Sequence, residues 1–400
     1  MGDSGGMNVY VRELVSALAQ AGVACDVYTR AWSDELAPVV HVEPGVRVVH
    51  VEAGPRAEVP KEALPELVPE FTRRVVDHIR AGSGVDAIHA NYWLSGVAGH
   101  AAKHELGLPL VSTFHTLARV KVDADVAETA ERTRAEAAVI GCSDAILANC
   151  EEEAADLRVH YDARPERIEV VPPGVDHAFF SPGDRDGARA ALGWTDGGRI
   201  SARGGNGATQ HPVLLFVGRI QPLKGLDVAV GTLAELGDRS AELVVVGGPS
   251  GADGPEELAR VLDLAGDLGV RDRIRWVEPQ PHHLLSTWYR AADVVLVPSR
   301  SESFGLVALE AAACGRPVVA AAVGGLRTIV EDGSTGLLVE GRAPASFAAA
   351  VEQILCDPDG AAAMGAAASS RAGGYTWSTA AARLRRLYAD LVARSLVDCT

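Results

Sequence analysis

Short apolar runs alternate along the chain with stretches whose apolar residues recur at helical spacing. This alternation predicts an α/β protein with parallel sheets. In the first half it predicts a helix over Asn8–Ala21, strands at Ala24–Thr29 and Val46–Glu52, and an amphipathic helix over Pro65–Ala81. Short strands follow at Ala87–Ala90 and Pro109–Thr113, then a helix over Ala130–Ile140 and a strand at Ala145–Asn149. The strand Ile168–Val171 runs into Pro172-Pro173-Gly174-Val175-Asp176, which can continue neither element.

A second series of strands begins after that break: Val213–Val217, Leu243–Val246, Ile274–Val277, Val294–Val297 and Pro317–Ala321, separated by helical segments. Thr195–Gln210 is rich in Gly and small polar residues without periodicity and reads as a flexible surface insertion. The pattern predicts two Rossmann-like domains, residues 1–175 and 176–377, joined near Pro172–Pro182. A C-terminal helix, about Ser378–Ser395 within 378–400, carries apolar residues at helical spacing and is free to cross back to the first domain. A Rossmann-type domain normally opens on a buried strand that feeds its first Gly-rich loop. Here that loop, Gly2–Gly6, comes at once, so the expectation is that the true start lies upstream and supplies the strand.

Composition narrows the class. A chain of 400 residues, 48% of them hydrophobic, can bury substantial cores. Its net charge of −16 excludes a general binder of nucleic acid or anionic membrane, so any phosphate site must be a local basic pocket. The six cysteines include no C-x-x-C pair and no His at zinc spacing, and read as free or buried thiols of a reducing compartment. No apolar run reaches the ~18–20 residues of a membrane span. The N-terminus lacks the basic and apolar regions of a signal peptide, and the expected location is the cytoplasm.

Three loops carry candidate chemistry. Asp3-Ser4-Gly5-Gly6-Met7-Asn8 precedes a helix, whose N-terminus favours an anion, though the same loop would serve as a plain helix start. Gly218-Arg219-Ile220-Gln221-Pro222-Leu223-Lys224-Gly225 leaves the carboxyl end of Val213–Val217, where ligands bind in open α/β sheets. Arg219 and Lys224 suit a pyrophosphate there; the plainer reading is two solvated cations. Pro298-Ser299-Arg300-Ser301-Glu302-Ser303-Phe304-Gly305 feeds the helix Leu306–Cys314, with Glu302 in the loop and Glu310 in the helix. Carboxylates there suit paired hydroxyls, as in ribose or a sugar ring.

With Val171–Asp176, Val323-Gly324-Gly325 and Asp332-Gly333, these motifs resemble the family 4 retaining glycosyltransferases over essentially the whole chain. The resemblance implies the GT-B fold, two Rossmann-like domains facing across a cleft. It implies a nucleotide-sugar co-substrate, UDP-linked, with no further cofactor and no metal. By the family motif, Arg219 and Lys224 would hold the diphosphate, Glu310 the ribose, and Glu302 the transferred sugar. Gly6, Phe304, Gly305 and Leu306 would complete the donor site, and His115 would contact the sugar near the reacting carbon.

Gly2–Tyr10, Tyr92-Trp93-Leu94-Ser95-Gly96 and His115-Thr116-Leu117-Ala118 resemble one branch of that family. That branch moves N-acetylglucosamine from its UDP form to inositol phosphate in mycothiol biosynthesis. The resemblance implies an acceptor site of Asp3, Asn8, Lys61, Tyr92, Thr116 and Arg132. Without it, Lys61 and Arg132 would read as solvated helix charges. Departures are the absent first strand with its His, and Val122 where the branch has Asn. Sucrose-phosphate synthases and natural-product transferases share the layout. A nucleotide-sugar epimerase and a non-catalytic GT-B protein stay open as other classes, and a homodimer is left open.

Overall fold

The computed structural model describes residues 5–82, 84–123, 129–194, 211–238, 240–251 and 253–399. Asp3 and the Thr195–Gln210 insertion lie outside them. The chain divides into two compact units: Gly6–Gly174 with the C-terminal segment from Trp377, and Val175–Thr376.

The first unit carries strands β1 (Cys25–Arg30), β2 (Val39–Glu43), β3 (Val46–Val51), β4 (Ile88–Asn91), β5 (Leu110–Thr113), β6 (Ala145–Ala148) and β7 (Ile168–Val170). They form two sheets, ordered β1-β3-β2 and β4-β5-β6-β7. All pairs are parallel except β2 with β3, an antiparallel pair with a bulge between His41 and Glu43. Among the described residues no strand pairing joins the two sheets, and β1 and β4 stand at sheet edges. The helix Gly6–Gln20 packs Tyr10, Leu14, Ala17 and Leu18 against Val111 and Leu147 of the second sheet and against Trp377, Ala381 and Leu384 of the final helix, Trp377–Val392. That final helix thus completes the core of a unit whose other residues lie more than two hundred positions earlier.

The second unit is a six-stranded parallel sheet: β8 (Val213–Val217), β9 (Glu242–Val246), β10 (Ile274–Val277), β11 (Val294–Val297), β12 (Val318–Ala321) and β13 (Gly336–Val339). Its order is β10-β9-β8-β11-β12-β13. Helices on both faces cover it, so strands such as Leu243–Val246 are buried along their length and read as continuous apolar runs. The order reverses between β8 and β11, which makes a topological switch point at their carboxyl ends.

Two readings of the sequence need correction. Cys142 and Cys399 are not free thiols; they form a disulfide across a sequence separation of 257. His100 and His104, an H-x3-H pair in the sequence, also stand beside them; the two cysteines lie far from that pair along the chain, so no single local motif joins the four. The pairing was invisible because the chain end after Trp377–Val392 returns to the end of the helix Ala130–Cys142. Arg132 is not a solvated helix charge either. It is 2% exposed, because its helix packs that face inward and Glu136, one turn on, is buried with it.

Candidate active site

The two candidate donor loops meet at the switch point. After β8 the chain turns through Gly218–Gly225, and after β11 through Pro298–Gly305. The amide of Arg300 donates to the carbonyl of Leu223 (2.8 Å), which ties one loop to the other. Across that junction Lys224 Nζ donates to Glu302 Oε2 at 2.7 Å, and Ser299 Oγ donates to the same oxygen at 3.3 Å. Both charged side chains keep part of their surface in solvent (25% and 17%), so the pair is accessible to a ligand and not locked in the core.

Two glycines make the approach possible. Gly225 sits at φ 71, and a Cβ there would overlap the carbonyl oxygen of Pro298. Gly324 sits at φ 45, and a Cβ there would overlap the carbonyl oxygen of Glu302. Any larger residue at either position would force the loops apart. Gly325 N donates to that Glu302 carbonyl (2.9 Å), so the backbone of the loop is held from a third segment.

Gly305 caps the helix Leu306–Ala313, whose N-terminus opens onto the same junction, and Phe304 is buried beneath it. The unpaired amides and the dipole of that first turn favour an anion. Glu310, 5% exposed, lies further along this helix. Its Oε1 receives a bond from His282 Nε2 (2.6 Å) and its Oε2 one from Tyr289 OH (2.8 Å). Burial, with the Glu310 charge beside it, pushes the Tyr289 hydroxyl well above its ordinary range, so it stays a donor. A carboxylate offers about four lone-pair positions, and the two remaining suit two further donors such as vicinal hydroxyls. The sequence reading missed His282 and Tyr289. They come from a 3-10 turn and the helix Leu285–Ala291, and no local motif marks them.

In the first unit the candidates gather at the carboxyl ends of β4 and β5. Tyr92 follows β4 with φ 77, and His115 follows β5 with φ 60. Left-handed backbone at bulky residues is strained, and such strain concentrates at functional sites. Lys61 Nζ lies 5.8 Å from the centre of the Tyr92 ring and Arg132 Cζ 5.1 Å from it. Arg132 Nη2 donates to the backbone oxygen and to Oγ1 of Thr116 (2.9 and 3.0 Å), while its Nε donates to Glu136 Oε1 (2.7 Å). Glu136 in turn accepts from the Ala118 amide (2.9 Å) and from the Tyr161 hydroxyl. Lys61, Tyr92, Thr116 and Arg132 are therefore neighbours, with Lys61 exposed and Arg132 buried and already paired.

The His115 ring packs edge-on to Tyr10, with centroids 4.7 Å apart. Burial, reinforced by His89, pushes its pKa down to about 3, so the imidazole is neutral at physiological pH. Its Nε2 lies 2.9 Å from Asn91 Oδ1, an acceptor, which leaves Nδ1 as the acceptor side of the ring. Gly6 and Asn8 lie in the first turn of the helix Gly6–Gln20.

Comparison with known proteins identifies the family. Residues 4–179 match the model of "Glycosyltransferase Family 4" and residues 201–371 that of "Glycosyl transferases group 1". The D-inositol 3-phosphate glycosyltransferase of Kribbella flavida is 47% identical over 95% of this chain and 89% of its own length. That of Frankia alni is 45% identical over 99% and 97%. Among solved structures, a sucrose-phosphate synthase from Thermosynechococcus elongatus superimposes with TM-score 0.87 at 33% identity, covering 97% of this chain and 94% of its own. Anabaena HepE, solved with UDP-glucose, shares the fold with TM-score 0.76 at 19% identity, covering 98% and 97%. The chain is thus a glycosyltransferase of the GT-B fold, and it belongs to the family that includes the D-inositol 3-phosphate glycosyltransferases.

Proposed function

We propose that this enzyme moves N-acetylglucosamine from UDP-N-acetylglucosamine to an inositol phosphate, with retention, as the cytoplasmic step that opens mycothiol biosynthesis. The observation that carries the donor half is the Lys224–Glu302 pair, 2.7 Å long, at the switch point between β8 and β11. Arg219, Lys224 and the helix N-terminus at Gly305 take the diphosphate, and Lys224 exchanges part of its bond to Glu302 for the phosphate as donor binds. Glu302 is then available to the hydroxyls of the sugar, while Glu310, fixed by His282 and Tyr289, takes those of the ribose. The bond from the anomeric carbon to the diphosphate breaks as its charge develops against these groups. The acceptor hydroxyl attacks from the same face and passes its proton to the departing phosphate oxygen. Neutral His115 steers the sugar through a hydrogen bond and does not act as an acid.

The acceptor half rests on the names of the relatives and on the neighbourhood of Lys61, Tyr92, Thr116 and Arg132. Lys61 supplies the accessible charge for a phosphate. Arg132, held by Glu136, positions Thr116 and Tyr92. The likeness to a sucrose-phosphate synthase favours a second reading with a sugar phosphate as acceptor.

Turnover with UDP-N-acetylglucosamine and a panel of phosphorylated acceptors tests both halves. Product with inositol phosphate is expected, and Lys224→Ala should lower kcat about 10²–10³-fold, as for other groups that stabilise developing charge. An unchanged kcat in that variant overturns the donor assignment. Product only with a sugar phosphate selects the second reading, and free sugar without acceptor marks an epimerase.

A further inference from the structure

Away from both candidate sites, the first unit brings together two histidines and two cysteines from three separate parts of the chain. His100 and His104 lie four residues apart on the helix Trp93–Leu106 and so share a face. Cys142 ends the helix Ala130–Cys142, and Cys399 lies in the segment after the final helix. One ligand atom from each falls within 4.8 Å of all the others. His104 Nε2 is 3.4 Å from Cys142 Sγ and 3.4 Å from Cys399 Sγ.

We propose that in the reduced chain these four residues form a structural zinc site that fastens the C-terminal segment to the first unit. The donor set is two thiolates and two imidazoles, the combination and number that a closed tetrahedral zinc site uses. Metal–ligand bonds of about 2.0–2.3 Å place tetrahedral ligand atoms about 3.3–3.8 Å apart, so the His104 distances already fit. Once the Cys142–Cys399 bond is reduced, its sulfurs need only separate to that spacing. Two thiols bind the ion as thiolates and release two protons. The dication, two thiolates and two neutral imidazoles sum to zero charge, which suits a group that is half withdrawn from solvent.

The frame around the four residues is independently fixed. Lys103, 2% exposed, donates to the Cys142 carbonyl and to Asp144 Oδ2, both at 2.8 Å. Asp144 Oδ2 also accepts from the Leu110 amide (2.7 Å), and its Oδ1 from the amide of Val397 (2.7 Å), two residues before Cys399. The Val397 bond to this buried frame therefore brings the tail to the histidines without a metal or a disulfide. In the reducing cytoplasm proposed above, a pair of cysteines beside histidines serves a metal more readily than a lasting disulfide.

The test uses the untagged full chain, stripped of metal and kept under a phosphine reductant. Addition of Co2+ should give one ion per chain with thiolate charge-transfer and tetrahedral ligand-field bands, lost on adding one equivalent of Zn2+. Cys399→Ser and His104→Ala should each weaken Zn2+ affinity about 100-fold or more, at least the loss caused by outer-shell changes. Far-UV circular dichroism and transferase turnover, read in the same samples, should be retained, which separates loss of the site from loss of fold and from failure of the proposed reaction. The proposal is overturned if the reduced wild type takes up no ion, re-forming only the Cys142–Cys399 bond when reductant is removed. It is equally overturned if the Cys399→Ser and His100→Ala/His104→Ala variants bind the ion as tightly as the wild type.

Discussion

At the scale of single residues, the donor site depends on how carboxylates are held. Glu302 and Glu310 stand eight positions apart and were legible as a pair, but their environments differ in a way the sequence does not show. Glu302 faces a lysine at the surface, and Glu310 is buried between His282 and Tyr289. Tyr289→Phe keeps the ring and removes one buried donor, leaving Oε2 without its 2.8 Å partner. Losing one hydrogen bond to a charged group costs about 1.5–3 kcal/mol. The expected result is a lower melting temperature and a rise of about tenfold in donor KM, where 1.4 kcal/mol is one factor of ten. Unchanged KM and melting temperature would show that Glu310 does not depend on this contact. His282 and Tyr289 could not be read in advance because ordinary core positions also hold such residues, and only the packing of two helices aims them at one carboxylate.

At the scale of elements, most strands of the second unit were legible because burial on both faces makes each a short continuous apolar run. Strands β2 and β13 were not. Four of the five residues of β2 are exposed on an antiparallel edge, so no buried periodicity marks it, and β13 opens on Gly336, a poor strand former, at the edge of its sheet. Element ends also carry chemistry that propensity hides. The helix Glu151–Tyr161 begins with three glutamates, which its dipole favours, yet Glu153 is 5% exposed and accepts the Asn149 amide at 2.7 Å. Burial wins over these favourable terms and pushes its pKa up to about 7 from 4.5. The folded state therefore holds this proton while the unfolded chain has lost it, and stability falls as pH rises from 4.5 to 7. Glu153→Gln keeps an acceptor for Asn149 and removes the titration. Thermal melts should show the variant gaining on the wild type at pH 8 and not at pH 4. A gain equal at both pH values would refute the assignment.

At the scale of the whole molecule, the chain leaves its first unit near Gly174 and re-enters it at Trp377. The final helix fills the core beside Tyr10, Leu14 and Leu18, and Leu384 is fully buried there. Leu384→Ala should destabilise the protein by about 2–5 kcal/mol, as for other large-to-small core changes. Chemical denaturation followed by Trp fluorescence would measure this, and a loss below the range would mean that the helix docks loosely. The sequence by itself determined the two-part α/β plan, the donor loops and the identity of their charged residues, because strand burial and loop chemistry are local and leave periodic or clustered signals. Only the tertiary structure decided which groups meet. It paired Lys224 with Glu302, buried Arg132 against Glu136, set Lys61 beside Tyr92, and brought Cys399 to Cys142 and two histidines. Each of these contacts joins side chains from separate elements or turns a helix face inward. Sheet order and helix packing fix such contacts, and these depend on the whole chain at once.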